Sequence, residues 1–307
     1  MQAPRPHYRM VDTAQGKRMV AVAPPRWQSY ARLLRLDRPI GILLLMWPTL
    51  WALWLAARGL PPWDVLGIFV AGVVLTRSAG CVFNDYADRW LDPQVERTRQ
   101  RPLATGEVSA REALILFVLL MVSAFALVWF TNRPTIYLSL VALGLAVLYP
   151  YMKRVIWFPQ VVLGAAFSMG IPMAYTAVVN DIQILAVLLF LANLLWTIAY
   201  DTQYAMVDRE DDLKAGARST AILFGDLDRI AIGMLQVCTL LTLWLIGRRA
   251  ELEWPYLASL GVAAALFAYQ QWLIREREAK ACFAAFLNNQ WVGLAVFAGI
   301  VGALWLQ

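Results

Sequence analysis

The chain has 307 residues, 60% of them hydrophobic, with 14 Trp and a formal net charge of +6. A mean hydropathy of +0.56 excludes an ordinary soluble domain, and a single histidine, His7, excludes histidine-based metal sites and Ser-His or Cys-His catalysis. The three scattered cysteines, Cys81, Cys238 and Cys282, form neither a disulfide framework nor a metal knuckle, so any chemistry falls to carboxylates and cations.

In chain order, residues 1–25 are a basic, Pro-broken extension with no signal-peptide pattern, expected to lack regular structure. Residues 26–307 read as one transmembrane domain. Apolar runs of spanning length lie near 40–57, 64–83, 112–131, 134–151, 159–179, 184–199, 221–247, 255–274 and 286–306. No ten-residue alternating strands occur, so the predicted fold class is an all-α polytopic membrane protein with nine transmembrane helices. Of 27 Lys and Arg, 22 fall on the N-terminal side of the membrane and four, Arg58, Arg133, Arg248 and Arg249, on the other. That asymmetry predicts a cytoplasmic N-terminus and a C-terminus on the opposite side. Contact of the basic loops with the lipid bilayer surface accounts for the net charge without a nucleic-acid partner.

Two carboxylate clusters interrupt this lipid-soluble pattern, after spans two and six and so on the same predicted cytoplasmic side. They run over 84–92 and 200–212 and, counting Glu96, hold nine of the 21 acidic residues. If the second span continues helically, Asp85, Asp88 and Asp92 share one face; Asp201, Asp208 and Asp212 do the same after span six, with Tyr204 between them. Opposed carboxylate faces suit a hard cation, and Mg²⁺ is preferred because it bridges a few carboxylates to phosphate oxygens. Arg97, Arg101, Lys153, Arg154, Lys214 and Arg218 surround the clusters, which points to a diphosphate held by metal and cations. Solvated ion pairs in a juxtamembrane loop are the plainer alternative for one cluster, less so for two. The spacing of the clusters, four spans apart, suggests a weak internal duplication.

Other polar residues carry separate expectations. Arg77 lies inside the second span, where an ionisable group marks a functional site unless it snorkels or pairs. Asp37 and Arg38 precede Pro39 and form either a local pair or part of the site. Trp47, Trp51 and Trp54 make a packing stripe, and Gln160 and Asn193 are expected to bond across helices. Residues 275–280 read as a solvated connection.

The run Asn84, Asp85, Asp88, Asp92 resembles the first signature of the UbiA family of intramembrane prenyltransferases, and Tyr200-Asp201…Tyr204-Ala205…Asp208-Arg209-Glu210-Asp211-Asp212 resembles its second. Arg35-Leu36-Asp37-Arg38-Pro39-Ile40-Gly41, Arg77-Ser78-Ala79-Gly80-Cys81, Arg97-Thr98…Arg101-Pro102-Leu103 and Tyr149-Pro150…Lys153-Arg154 bring it nearest the quinone-pathway branch. The resemblance implies helices around a central cavity and Mg²⁺ held by Asp85, Asp88, Asp92, Asp201, Asp208 and Asp212. It implies a polyprenyl diphosphate donor, 4-hydroxybenzoate as acceptor, and a place in the bacterial inner membrane. Asp85, Asp88, Asp201 and Asp208 are then the catalytic set, and Arg38, Arg77, Asn84 and Tyr204 the acceptor-binding candidates. Two alternatives stay open here: another aromatic or tetrapyrrole acceptor, and a cation-coupled transporter.

Overall fold

Inside a bilayer every backbone N–H and C=O must be satisfied by the chain itself, and the apolar runs accordingly fold as helices. The computed structural model describes residues 7–13, 16–22 and 25–307. In the N-terminal extension, β1 (His7–Thr13) and β2 (Gly16–Val22) pair antiparallel, with His7 opposite Val22 and Thr13 opposite Gly16. This corrects the expectation of an extension without regular structure: β1 carries Tyr8, Val11 and Thr13 and β2 carries Val20 and Val22, residues that favour extended backbone. The rest of the extension lies outside the described residues.

A short helix, α1 (Arg26–Leu33), precedes the membrane region and is tied to the loop after the second span. Arg32 pairs with Glu107, Arg26 with Glu112, and Ser29 Oγ donates to Glu107 at 2.6 Å. The helix closes in a Schellman turn: Leu36 N donates to Ala31 O (3.0 Å) and Arg35 N to Arg32 O (3.2 Å). Arg35 occupies the left-handed position at φ 57°. A non-glycine residue there costs roughly 1–2 kcal/mol, so the side chain must repay its place.

The helices that follow are α2 (Ile40–Ala57), α3 (Trp63–Ala87), α4 (Ala110–Val128), α5 (Arg133–Val155), α6 (Pro159–Ser168), α7 (Gly170–Val179) and α8 (Ile184–Val207). After them come the short α9 (Arg209–Ala215) and α10 (Thr220–Phe224), then α11 (Asp228–Arg249), α12 (Trp254–Leu273) and α13 (Ala279–Trp305). Among the described residues nine segments are long and apolar enough to cross a membrane, with α6–α7 and α10–α11 each counting as one. Their ends follow local signals. Ser109 and Glu112 form a capping box on α4, and Asn132 caps α5 by accepting from Thr135 N at 3.1 Å.

The core lies between α2, α8, α12 and α13. Trp51 stacks on Trp196 at 5.4 Å and donates its indole N–H to Gly293 O at 3.0 Å. Gly293 has no Cβ because Trp47 occupies that space; a Cβ would lie 2.3 Å from Trp47 Cδ1. The tryptophan stripe is thus packing, as expected. The other predicted mid-membrane amides also bond between helices: Asn193 Nδ2 donates to Ser168 Oγ (2.9 Å), and Gln160 Oε1 accepts from Thr220 N (3.1 Å).

A longer amide ladder joins α8, α11, α12 and α13. Gln270 Oε1 accepts from Gln203 Nε2 (3.1 Å) and Gln236 Nε2 (2.9 Å), and Gln270 Nε2 donates to Asn288 Oδ1 (3.0 Å). Asn289 then donates to Gln203 Oε1 (2.9 Å) and accepts from Trp196 Nε1 (2.8 Å). Each bond satisfies a group that has no water to turn to. Gln270→Leu is expected to orphan three of these amides and lower stability by about 1–2 kcal/mol, read as a lower melting temperature in detergent. An unchanged melting temperature would show that the ladder holds nothing.

By contrast, α4 and α5 have only 17% and 11% of their apolar windows buried, against half for α2 and α8. The bundle is therefore tightly joined on the amide side and thin on the α4–α5 side.

Candidate active site

Both acidic clusters sit where a long apolar helix gives out. Asn84 and Asp85 occupy the last turn of α3, Asp88 caps it, and Asp92 opens a 3-10 turn, Asp92–Gln94. Asp201 and Tyr204 lie on α8, Asp208 stands between α8 and α9, and Asp212 belongs to α9. The single-helix stripes expected from the spacing are therefore corrected. Pro93 cannot donate a backbone hydrogen bond and disfavours helical backbone at Asp92, so α3 cannot run on. Glu210, Asp211 and Asp212 crowd the first turn of α9, where free N–H groups favour negative charge and a new helix starts.

The breaks still gather the same groups. Asp85, Asp88, Asp92, Asp201, Asp208 and Asp212 all line one cavity of about 1430 Å³. Below them the walls are apolar, built from Val73, Leu163, Phe167 and Met173 among others. On the α4–α5 side, the exposed residues Val118, Val122, Phe125 and Leu140 line the cavity.

Guanidinium groups interleave the carboxylates. Asp85, 1% exposed, accepts from Arg35 Nη2 at 2.9 Å on both oxygens and lies 2.9 Å from Arg101 Nη1. Arg101 also donates to both oxygens of Asp92 at 3.0 Å. Arg97 grips Asp208 through Nε (2.8 Å) and Nη2 (2.5 Å), donates to Tyr204 OH (2.5 Å), and lies 4.7 Å over that ring. Burial works against the charge on Arg97, yet Tyr204 and Asp208 more than offset it and hold its pKa above the ordinary guanidinium value. Arg101 is raised in the same direction, burial being outweighed by Asp85 and Asp92. Burial pushes the Asp92 carboxyl up to about 6; Arg101 opposes that, while Asp85 and Asp88 add repulsion.

The remaining candidates divide. Arg38, Arg77, Asn84, Tyr204, Arg97, Arg101 and Arg218 line the cavity. Arg154 donates to Ala87 O at 2.9 Å and stands 3.8 Å from Asp88, while Lys214 is exposed, 4.0 Å from Asp211; neither lines the cavity. The side chain of Lys153 lies outside the described residues. Arg38 pairs locally with Asp37 at 3.5 Å and also faces the cavity. Among the described residues Arg77 meets the thiol of Cys81 (Nη1 to Sγ 2.9 Å) and the Phe167 ring (5.6 Å), and its buried Nε has no hydrogen-bond partner. Asn84 Oδ1 is likewise buried and unpartnered.

Two features escaped the sequence reading. Arg35, which anchors Asp85, figures in the sequence reading only as the first residue of the Arg35–Gly41 segment and not as a site residue. Behind the second motif, Asp228 accepts from Arg209, from Arg277 Nε (3.1 Å) and Nη2 (3.0 Å), and from Arg229 N (2.6 Å). Arg277 is thus part of a buried junction, which corrects the expectation of a fully solvated 275–280 segment.

Known proteins resemble this chain in sequence and in fold. The model of the UbiA prenyltransferase family matches residues 45–304. The 4-hydroxybenzoate octaprenyltransferase of Tolumonas auensis is 60% identical, the alignment covering 92% of this chain and 99% of that protein. The protein of the same name from Xanthomonas campestris pv. campestris is also 60% identical, over 92% of this chain and 94% of its own length. The fold is similar to that of the apo UbiA homolog from Aeropyrum pernix K1, with TM-score 0.76 and 24% identity over 85% of this chain and 97% of that one. A UbiA homolog from Archaeoglobus fulgidus bound to GPP and Mg²⁺ has the same fold, with TM-score 0.65 and 20% identity over 88% and 99% of the two chains. A family match over most of the chain, close relatives aligned nearly end to end and a shared helical fold agree: the chain belongs to the UbiA prenyltransferase family.

Proposed function

We propose that this protein transfers the polyprenyl group of a polyprenyl diphosphate to 4-hydroxybenzoate, at the ring carbon ortho to the hydroxyl, releasing diphosphate. The step belongs to ubiquinone biosynthesis at the bacterial inner membrane, with the acidic mouth on the cytoplasmic side as the 22-to-4 charge split indicates. Membership of the family leaves the transporter reading without support.

The observation that carries the reading is the charge order of one cavity: six aspartates at the mouth and, deeper, an Arg77 guanidinium with no carboxylate within ion-pair distance among the described residues. A buried cation without a counter-charge is costly in a membrane and calls for an anionic ligand. A small aromatic carboxylate supplies one, and the planar guanidinium fork matches it.

The donor chemistry of the mouth suits Mg²⁺, although among the described residues no three carboxylates stand close enough together to hold an ion as they are. Its donors are all hard oxygens, Asn84 Oδ1 is free to join them, and the described lining residues carry nine carboxylates against eight cations. A diphosphate alone would face a wall with no positive excess. Asp88, Asp92, Asp201, Asp208 and Asp212 are the groups that would hold the ion, with Asp85 in support. When bound, Mg²⁺ neutralises the diphosphate and makes it a better leaving group. Arg97 and Arg101, kept charged by their aspartates, stand beside the same mouth to receive the departing diphosphate. The apolar walls below exclude water from the allylic cation, so the ring captures it instead. Arg77 holds the acceptor carboxylate, with Arg38 nearer the mouth and Asn84 orienting the ring. Ring attack forms the carbon–carbon bond, and loss of the displaced proton restores aromaticity.

The test uses purified protein in lipid nanodiscs with 4-hydroxybenzoate and a polyprenyl diphosphate, with product followed by mass spectrometry. EDTA is expected to stop product formation and excess Mg²⁺ to restore it. Undiminished turnover in EDTA would overturn the metal-assisted scheme.

A further inference from the structure

Arg77 has one neighbour whose identity matters through what it lacks. Gly41 lies in the first turn of α2, just after the Pro39 cap, and lines the same cavity. A Cβ built there would stand 2.4 Å from Arg77 Nε, 2.5 Å from Nη2 and 2.8 Å from Cζ. Real Cβ atoms do not approach this closely, so any larger residue must move the guanidinium by about 1 Å to reach ordinary contact. Nothing in the backbone asks for glycine here: Gly41 is helical, and its φ is not among the positive values in the chain. Alanine is the better helix former. The absent side chain therefore serves the guanidinium and not the helix.

We propose that Gly41 is a positioning residue for the acceptor. Bare backbone at the start of α2 lets the Arg77 guanidinium rest against it, and this contact sets where the acceptor carboxylate is held. The inference rests on the reading of Arg77 given above and extends it to a residue that touches no substrate. On the other faces of the guanidinium, Cys81 and Phe167 complete the seat, and both are side chains that a moved guanidinium would lose. Because the colliding atoms are the far end of a flexible side chain, Gly41→Ala displaces the guanidinium while leaving α2 in place.

The test compares wild type, Gly41→Ala, Arg77→Lys and the double variant in nanodiscs, with KM measured separately for each substrate. Gly41→Ala is expected to raise the KM for 4-hydroxybenzoate about tenfold or more, with the KM for the polyprenyl diphosphate within about twofold of wild type. The melting temperature should be equal or higher. With an acceptor lacking the carboxylate, such as 4-hydroxybenzamide, Gly41→Ala and wild type should turn over at the same rate. The double variant should be no worse than Arg77→Lys alone, since the methyl acts only through the guanidinium. An unchanged acceptor KM in Gly41→Ala, or effects that multiply in the double variant, would overturn the inference while leaving the proposed function standing. Wild type that turns over no 4-hydroxybenzoate would bring down the functional reading and this inference together.

Discussion

Asp88→Asn is expected to lower kcat by about a thousandfold with the fold retained, because the exchange removes one negative charge and almost no volume. Asp88 is 4% exposed and caps α3, and Arg154 stands 3.8 Å away. Asp85 is held by two guanidiniums at 2.9 Å, so its own exchange would also break ion pairs, which makes Asp88 the cleaner test of the metal set. The cap is made by the Asp88 backbone, whose N–H donates to Asn84 O at 2.9 Å, so it survives the exchange. Circular dichroism and melting temperature check the fold, and single-turnover product formation reads the chemical step. Activity near wild type, with Mg²⁺ dependence intact, would remove Asp88 from the metal set.

Asp228→Ala is expected to be the most damaging substitution for stability. The carboxylate is fully buried and takes bonds from Arg209, Arg277 and the Arg229 backbone. It joins the start of α9, the start of α11 and the α12–α13 connection at one point. Removing one member of a buried ion network while leaving the others in place costs about 3–5 kcal/mol. The expected result is a drop of several degrees in melting temperature, with activity falling because Arg209 directly follows Asp208. Arg209 also donates to Ala221 O at 2.7 Å, so its release would loosen α10 as well. A melting temperature unchanged from wild type would show that the junction is solvated in practice.

Much of this molecule was legible in its sequence, for physical reasons that can be named. A bilayer imposes length and polarity on every span, so each of the nine apolar runs falls on one of the nine described segments long and apolar enough to cross a membrane. The end of α8 (Val207) and the start of α13 (Ala279) lie well beyond the predicted limits of 199 and 286. The acidic clusters stood out because carboxylates are costly at that position. Extending the helices through the clusters failed because spacing was trusted over two breakers in plain view. Pro93 and the triplet Glu210-Asp211-Asp212 both mark a helix boundary, and each one did. Arg35 and Asp228 were out of reach for a different reason. Their importance comes from partners 50 and 49 residues away, and a basic run or a lone Asp carries no record of such pairings. Gly41 likewise shows its meaning only once Arg77 is seen beside it.

The cavity side formed by Val118, Val122, Phe125 and Leu140, on the sparsely packed α4 and α5, bears on the units in which this enzyme meets its substrates. Under the proposed function the isoprenoid donor lies in the membrane, in two dimensions, so its effective concentration is a mole fraction among lipids. The small acceptor arrives from water, and its concentration is an ordinary molarity. Adding lipid or detergent at fixed protein and donor therefore dilutes one substrate and leaves the other untouched. A KM quoted for the donor has meaning only with the amount of amphiphile beside it.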